Sequence, residues 1–246
     1  SEAMLRAFEH PQLGKLVPTK KGLDTGENDK FLRYWFEISR SIFGIGYANS
    51  KEFSTAKMKW APHDKGGEFC RWYGNKEWVI NWENNGFALH NSRANLRSEK
   101  LYFTNAITWS SLSSGKISFR FSDYGAISNT AGSSLYPTKE ITCYYLGLLN
   151  TNVAQLLIDV ISPTLNYSAG PISQTPIAFW EDKKSAINEL VKANINISRS
   201  DWDAFETSWD FKQHPLFSSE RTVELAFGKW ERETKERFDT LKANEE

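Results

Sequence analysis

The sequence predicts an α+β fold, in which a curved, mostly antiparallel β-sheet domain is followed by a helical segment. Short aromatic and β-branched runs, separated by Gly, Asn and Ser clusters, continue to about residue 140. From Ile141 onward, apolar residues recur every three or four positions, which is the helical period. We therefore expect a first domain over residues 1–177 and a helical spacer over residues 178–246.

The elements predicted in the first part are short and divided by turns. Helices are expected at 2–9 and 50–56, an extended segment at 15–23, and a helix or long loop at 87–97. The sequence pattern predicts strands at 31–38, 68–73, 78–82, 106–109, 116–121 and 126–129.

In the second part, two helices are expected from Ile141 to Ser162-Pro163, and another from Glu181 to about Asn194. The run 200–203 resembles a capping box that opens a further helix. A last helix is predicted from about Ser219. Its apolar stripe should pack on a helix of this chain or of another domain, and it contains Val223, Phe227, Trp230, Thr234, Phe238 and Leu241.

Composition limits the class of protein. An apolar content of 40% supports a sizeable core, and no apolar run reaches the length of a membrane span. The two distant cysteines, Cys70 and Cys143, are expected to be reduced thiols in a cytoplasmic protein. Because position 1 is not Met, we expect a fragment of a longer protein.

The charges are unevenly distributed although the net charge is zero. Residues 1–145 carry 19 Lys and Arg against 14 Asp and Glu, and residues 146–246 carry 11 against 16. Any polyanion binding should therefore belong to the first part. Within it, residues 57–86 place four tryptophans among Lys and Arg. This pattern fits a nucleic-acid surface, but it also fits a twisted sheet that buries its tryptophans, which is the more common place for aromatics in strands.

Catalytic motifs are missing from the sequence. The four histidines are isolated, the 113–116 run lacks the first Gly of a phosphate loop, and the glycines at 43–46 are out of register for a cofactor turn. No Asn-Pro-Pro-aromatic tetrad occurs. We expect no catalytic residue, metal site or cofactor within this chain.

Eight motifs in the sequence are informative together. They are GLDTGENDKFLR at 22–33, KWAPHDKGGEFCRWYGN at 59–75, AITWS at 106–110, YYLGLLN at 144–150, SPTLN at 162–166, DWD at 201–203, SWDF at 208–211 and HPL at 214–216. These motifs resemble the target-recognition domain of PglX-type adenine-specific DNA methyltransferases, which act in BREX phage defence and are related to type I and type IIG restriction-modification specificity domains. The resemblance implies that a methyltransferase domain of the same polypeptide binds S-adenosylmethionine and the extruded adenine. It also implies that this part reads double-stranded DNA.

DNA recognition would use Arg, Lys and Asn on loops or strands for bases, and Lys, Arg and Ser near turns for phosphates. The candidates are Lys57, Lys59, Lys65, Arg71, Asn75, Asn84, Asn85, Arg93, Asn95, Arg97, Lys116 and Arg120, with Asn81, Ser113 and Ser114 as further possibilities. Two other functions stay open. One is a protein-interaction module that docks through its C-terminal helices without a nucleic-acid role, and the other is a carbohydrate-binding sheet with exposed Trp.

Overall fold

The computed structural model describes residues 2–113, 115–123, 125–217 and 219–246, so the phosphate candidate Ser114 lies outside the described residues. Helices in the described residues are α1 (Glu2–Ala7), α2 (Leu13–Leu16), α3 (Asn28–Phe31), α4 (Ser50–Thr55), α5 (Glu83–His90), α6 (Lys139–Leu149), α7 (Asn152–Ile161), α8 (Ala169–Ser173), α9 (Glu181–Trp202) and α10 (Val223–Glu245). The strands are β1 (Thr19–Lys20), β2 (Leu32–Tyr34), β3 (Trp60–Asp64), β4 (Trp78–Asn81), β5 (Ala106–Trp109), β6 (Phe119–Ser122), β7 (Ile127–Ser128) and β8 (Ser134–Leu135).

The strands form two four-stranded open sheets. One has the order β1-β8-β5-β6 and is antiparallel throughout. The other has the order β2-β4-β3-β7, in which only the β3–β7 pair is parallel. The long helices follow the last strand, so the predicted α+β class is confirmed.

Buried aromatics fill the core of both sheets. Trp60, Trp72 and Trp82 are buried, and Trp109 donates a hydrogen bond from Nε1 to the carbonyl oxygen of Tyr167 at 2.7 Å. Trp78 is half-buried beside Tyr34, with ring centroids 4.1 Å apart. Most tryptophans of the cation-rich stretch therefore contribute packing area rather than stacking surfaces.

The helical segment is packed onto the first sheet through α6. Tyr144 and Leu146 of α6 share a core with Val191 and Ile195 of α9. Gly147 makes the close approach of the two helices possible, since a Cβ there would lie 2.7 Å from Val191 Cγ2. The boundary at 177/178 stays a prediction, although this shared core ties α9 to the first part.

Two strand predictions are wrong in extent. The run 31–38 is a strand only at Leu32–Tyr34, because the Glu37 carboxylate accepts the Tyr34 N–H at 2.6 Å and the chain turns into a 3₁₀ helix. The run 68–73 makes only one bridge, between Trp72 and Arg120. Trp72 has a φ of 68°, which is incompatible with a regular strand. Strands β3 and β8 were not predicted.

Two helix predictions also need correction. The run 200–203 opens no helix, because α9 continues through it to Trp202 and the Asp203 N–H bonds to the Arg199 carbonyl oxygen. The last helix begins at Val223, where the Thr222 hydroxyl accepts the Leu225 N–H at 3.2 Å. Much of its apolar stripe, including Val223, Phe227 and Phe238, is exposed in this chain.

In the described part of the chain, no single helix is long and apolar enough to span a membrane. The pair α6 and α7 passes the length and composition test only together, and the two helices are bent by 79°.

Candidate nucleic-acid interface

A buried polar network joins the two sheets. Asp64 at the end of β3 and Lys76 form an ion pair of 2.7 Å, and Ser122 of β6 donates to the same carboxylate while accepting from Lys76 Nζ at 2.9 Å. Burial alone would raise the pKa of Asp64, but Lys76 and the hydrogen bonds hold it below its usual value. This Ser–Lys–Asp group is buried, and it joins β3 of one sheet to β6 of the other.

His63, next to Asp64 on β3, is also buried. Burial lowers its pKa to about 4, so the imidazole is neutral at pH 7. Nδ1 lies 2.8 Å from the Ile127 carbonyl oxygen and Nε2 lies 3.0 Å from the Asn129 amide nitrogen. The tautomer with the proton on Nδ1 satisfies both contacts. His63 thereby fixes the segment that follows β7.

Arg120 must be removed from the predicted DNA contacts. Its exposure is only 1%, and burial lowers its pKa. The guanidinium donates to Ser110 Oγ at 3.1 Å, and more weakly to Ser118 Oγ and the Cys70 carbonyl oxygen at 3.4 Å. The sequence pattern predicted that Arg120 lies on a strand, but it did not show on which face of the sheet its side chain lies. From the interior, Arg120 supports the loops around the surface that is described next.

A cleft lies between loops at one edge of the two sheets, and we call it the loop cleft. Its first half is lined by Lys21, Asp24, Lys65, Gly67, Ser110, Ser111, Leu112, Asn129, Thr130, Ala131, Asn166 and Ser168. It continues past Gly67 and Leu112 into a second depression lined by Glu68, Phe69, Ser113, Gly115 and Lys116. Lysines, hydroxyls and amides therefore predominate along one continuous surface.

Hydrogen bonds fix the loops of this cleft. Ser110 Oγ accepts the Gly67 N–H at 3.0 Å and donates to the Gly67 carbonyl oxygen at 2.7 Å. The Tyr167 N–H bonds to the Ser111 carbonyl oxygen at 2.7 Å. A Cβ on Gly22 would lie 2.1 Å from the Ser128 carbonyl oxygen, so only Gly allows these segments to run so close. The cleft is therefore preformed.

Six predicted residues lie in or beside the loop cleft. Lys65, Ser113 and Lys116 line it, and the Lys65 ammonium lies 3.7 Å from the centroid of the Trp78 ring. The strand-like segment that contains Arg93, Asn95 and Arg97 runs along its rim. It is held there by paired backbone hydrogen bonds between Asn95 and Asp24 and by the Arg97 guanidinium, 3.4 Å from Thr130 Oγ1.

The other predicted residues are placed elsewhere or have structural partners. Lys59 forms an ion pair of 3.2 Å with Glu83, and Lys57 is exposed nearby at a φ of 57°. Asn84 and Asn85 are exposed in the left-handed start of α5, and the Asn85 side chain accepts from Ser50 and Ser54.

Arg71 and Asn75 are engaged in contacts with the protein itself. The Arg71 guanidinium binds the Glu245 carboxylate of α10 at 2.8 Å, and the other carboxylate oxygen accepts Trp72 Nε1–H at 2.7 Å. Asn75 donates to the Glu68 carbonyl oxygen at 2.9 Å. Both side chains stabilise the local fold, so direct DNA contact would require them to give up these bonds.

Among the polar cleft residues that sequence reasoning missed are Lys21, Asn129, Thr130 and Asn166. Asn166 lay within a motif that supported the family resemblance, and Lys21 directly precedes another. Asn129 and Thr130 carried no sequence signal, because only the parallel β3–β7 pairing brings the buried Asn129 and the half-buried Thr130 beside Lys65. Among the described residues, no group of three or more His, Cys, Asp or Glu could hold a metal ion.

Comparison with known proteins gives two similar sequences, while no family model matches. Adenine-specific methyltransferase PglX of Lacticaseibacillus casei (strain Zhang) is 34% identical over 98% of this chain. Adenine-specific methyltransferase BrxX of Escherichia coli O9:H4 (strain HS) is 35% identical over 85% of it. The matched segments are 21% and 17% of those proteins, so the chain spans about a fifth of the length of these curated relatives. These similarities support a relationship between this chain and the BREX-type adenine-specific methyltransferases.

Proposed function

We propose that the chain is the sequence-specific duplex DNA recognition segment of an adenine-specific DNA methyltransferase that serves BREX phage defence or restriction-modification. The loop cleft is the observation that carries this proposal. It combines Lys21, Lys65 and Lys116 with a row of amide and hydroxyl side chains on fixed loops. Cations position a protein on phosphates, and amides read base edges, so the cleft contains both kinds of group that recognition needs.

The excess of basic over acidic side chains in the loop cleft supports its assignment as the DNA-binding site. Lys21, Lys65 and Lys116 outnumber the two acidic lining residues, Asp24 and Glu68, and Arg93 and Arg97 extend the basic rim. Amides at the site are Asn129 and Asn166, with Asn95 on the rim. We assign the lysines and Arg93 to phosphates, and Asn95, Asn166 and Arg97 to base edges. Asn129 is buried and bonded to His63 and to the Ala131 N–H, so it supports the loop.

The fixed conformation of its loops also supports the loop cleft as the DNA-binding site. The Gly67–Ser110 pair and the buried His63–Asn129 contact hold the loops from below, so little ordering entropy is lost when DNA binds. The edge that contains Lys57, Lys59, Asn84 and Asn85 lies outside the loop cleft and would add peripheral phosphate contacts.

Catalysis would belong to the methyltransferase domain of the same longer polypeptide. In this proposal that domain binds S-adenosylmethionine and the extruded adenine, and the loop cleft fixes which adenine reaches it. The relatives' names support a methyl-transfer role for the whole proteins, and this chain matches only about a fifth of their length.

Binding of duplex DNA as a function of salt tests the proposal. We expect weak, salt-sensitive binding, and Lys21→Glu with Lys116→Glu should abolish most of it. The control is Lys192→Glu with Lys212→Glu, two exposed lysines of the helical part that make the same change in net charge. Equal binding by the two double variants would rule out the loop cleft as the DNA site.

A second candidate function is a protein-interaction module without a nucleic-acid role. The exposed Val223, Phe227 and Phe238 of α10 favour it. Such a module should show no salt-dependent retention on heparin, whereas the DNA-reading segment should be retained and eluted by salt.

A further inference from the structure

Helix α7 has apolar residues on two sides, and the chain covers only one of these sides. Ala154, Leu157 and Ile158 are buried against the core. On the other side, Val153, Leu156 and Val160 form a stripe at spacings of three and four, and each is more than half exposed. An exposed apolar stripe on a helix that is already packed on its opposite side is a candidate contact surface.

The exposed stripe continues into an apolar groove between α7 and α1. Leu148, Val153 and Leu157 form one wall, Ala7 lies on the other, and Trp180, itself more than half exposed, closes the end. We call the stripe and this groove together the α7 face. Charges are few here. Arg6 at the rim is paired with Glu2 at 2.6 Å, and Asp159, the one charged residue of α7, accepts from Gln155 at 2.6 Å.

The groove is a fixed feature of the fold. The segment that carries Pro176 is paired with the N-terminal segment, since the Leu13 N–H bonds to the Thr175 carbonyl oxygen and the Ile177 N–H to the Pro11 carbonyl oxygen, both at 2.9 Å. These bonds fix the segment that carries Pro176 to the chain that follows α1. A preformed apolar groove of this kind fits apolar side chains of a protein partner.

Helix α10 shows why the α7 face differs from an ordinary exposed helix. Its exposed apolar residues, such as Val223 and Phe227, alternate with many Lys, Arg and Glu side chains along the helix. Charged neighbours keep such a stripe solvated. The α7 face has few of them, and contiguous apolar patches usually mark contact sites.

We propose that the α7 face docks against a part of the same polypeptide that lies outside these 246 residues. Nearly all of this chain matches only 21% of the PglX relative, so about four fifths of such a polypeptide would be available as the partner. A tethered partner is present at high effective concentration, which allows a permanently apolar surface to remain covered. The inference shares with the proposed function the premise of a longer methyltransferase, but it requires no DNA binding.

The α7 face is also separate from the loop cleft, because the two surfaces have no lining residue in common. Docking through α7 would therefore hold the chain in the enzyme and leave the cleft open to DNA. A second copy of this chain is the competing occupant, and it differs in one measurable respect: its contact would weaken on dilution.

Cysteine labelling in the full-length natural polypeptide tests the inference without DNA. Val153→Cys and Val223→Cys place thiols at positions of similar exposure here, 67% and 78%. If the α7 face is covered in cis, maleimide should modify the thiol at position 153 at least about tenfold more slowly than the thiol at position 223, at every protein concentration. Peptide mass spectrometry separates these sites from native cysteines such as Cys70 and Cys143.

Equal labelling rates at the two positions would overturn the inference. Protection of position 153 that disappears on dilution would also overturn it, and would assign the face to a second copy. A further variant, Leu156→Asp, should restore rapid labelling at position 153 while the salt dependence of DNA binding stays unchanged. Loss of DNA binding in the Lys21/Lys116 variant with equal labelling would leave the proposed function standing and reject the docking.

Discussion

The loop cleft and the α7 face are both open to solvent, but they are built in opposite ways. The cleft is polar, and its loops rest on buried hydrogen bonds and ions such as Asp64, Lys76 and Arg120. The α7 face is apolar and rests on the packing of α7 against the core. The cleft therefore depends on a few specific bonds, whereas the α7 face depends on buried area, and substitutions should affect them differently.

The largest effect is expected from the buried ion pair under the cleft. Lys76→Ala leaves the Asp64 carboxylate buried without its cation, which should cost about 3–5 kcal/mol of unfolding free energy. Urea unfolding measures this cost. Lys116→Ala, at an exposed position, should change it by less than about 0.5 kcal/mol. A loss below about 1 kcal/mol in Lys76→Ala would mean that the network does not support the sheets.

Charge removal in the cleft should have the next largest effect, on DNA binding rather than on stability. Lys21→Ala, Lys65→Ala and Lys116→Ala should each lower the slope of log affinity against log salt by about 0.9, the value for one phosphate contact. Lys57→Ala and Lys59→Ala should give smaller changes, because they lie outside the cleft. Larger changes at Lys57 and Lys59 would move the DNA site to that edge.

The unfolding free energy should fall at low pH, because the buried His63 then becomes protonated. Its pKa falls from 6.5 to about 4 on folding, so the neutral form stabilises the fold above pH 6.5 and this contribution is lost as the pH falls toward 4. Between about pH 8 and about pH 5 the loss should be about 2 kcal/mol from this group. Unfolding at several pH values measures it, and His63→Gln should be less sensitive over that range. Equal pH dependence in both proteins would contradict this assignment.

The smallest effect on stability is expected at the contact between α10 and the segment that contains Arg71 and Trp72. Glu245→Gln weakens contacts to Arg71 and Trp72 that are only partly buried, so the cost should be about 0.5–1 kcal/mol. Thermal unfolding with Glu246→Gln as the exposed control measures the difference. No difference between the two would show that α10 is not fixed to the sheet part by this carboxylate.

Periodicity predicted the class of fold and most helices, because apolar spacing alone determines them. The start of α6 and the strand at Ala106–Trp109 were found in this way. The prediction that residues 200–203 open a helix was wrong. Their Ser and Asp residues resemble a helix start, but they lie at the end of α9, which packing already stabilises. Strand β3 was missed because its Ala-Pro-His-Asp residues have low strand propensity, and pairing with both β4 and β7 holds them.

The candidate site was only partly predictable. Residue type identified Lys65 and Lys116, but type cannot separate an exposed Arg from a buried one, as Arg120 shows. Asn129 and Thr130 join the cleft through pairing of segments distant in sequence. The α7 face could not be predicted from the sequence either. The spacing of Val153, Leu156 and Val160 predicts an apolar stripe on a helix, but it does not show whether the stripe is buried or exposed.

Methylation mapping in cells tests the central claim, that the loop cleft reads DNA. In the longer methyltransferase that the proposal assumes, Lys21→Glu with Lys116→Glu should abolish or strongly lower methylation, and Asn95→Ala or Asn166→Ala should relax the sequence preference. The paired control, Lys192→Glu with Lys212→Glu, should leave methylation level and preference unchanged. Wild-type level and preference in all of the cleft variants would contradict the account.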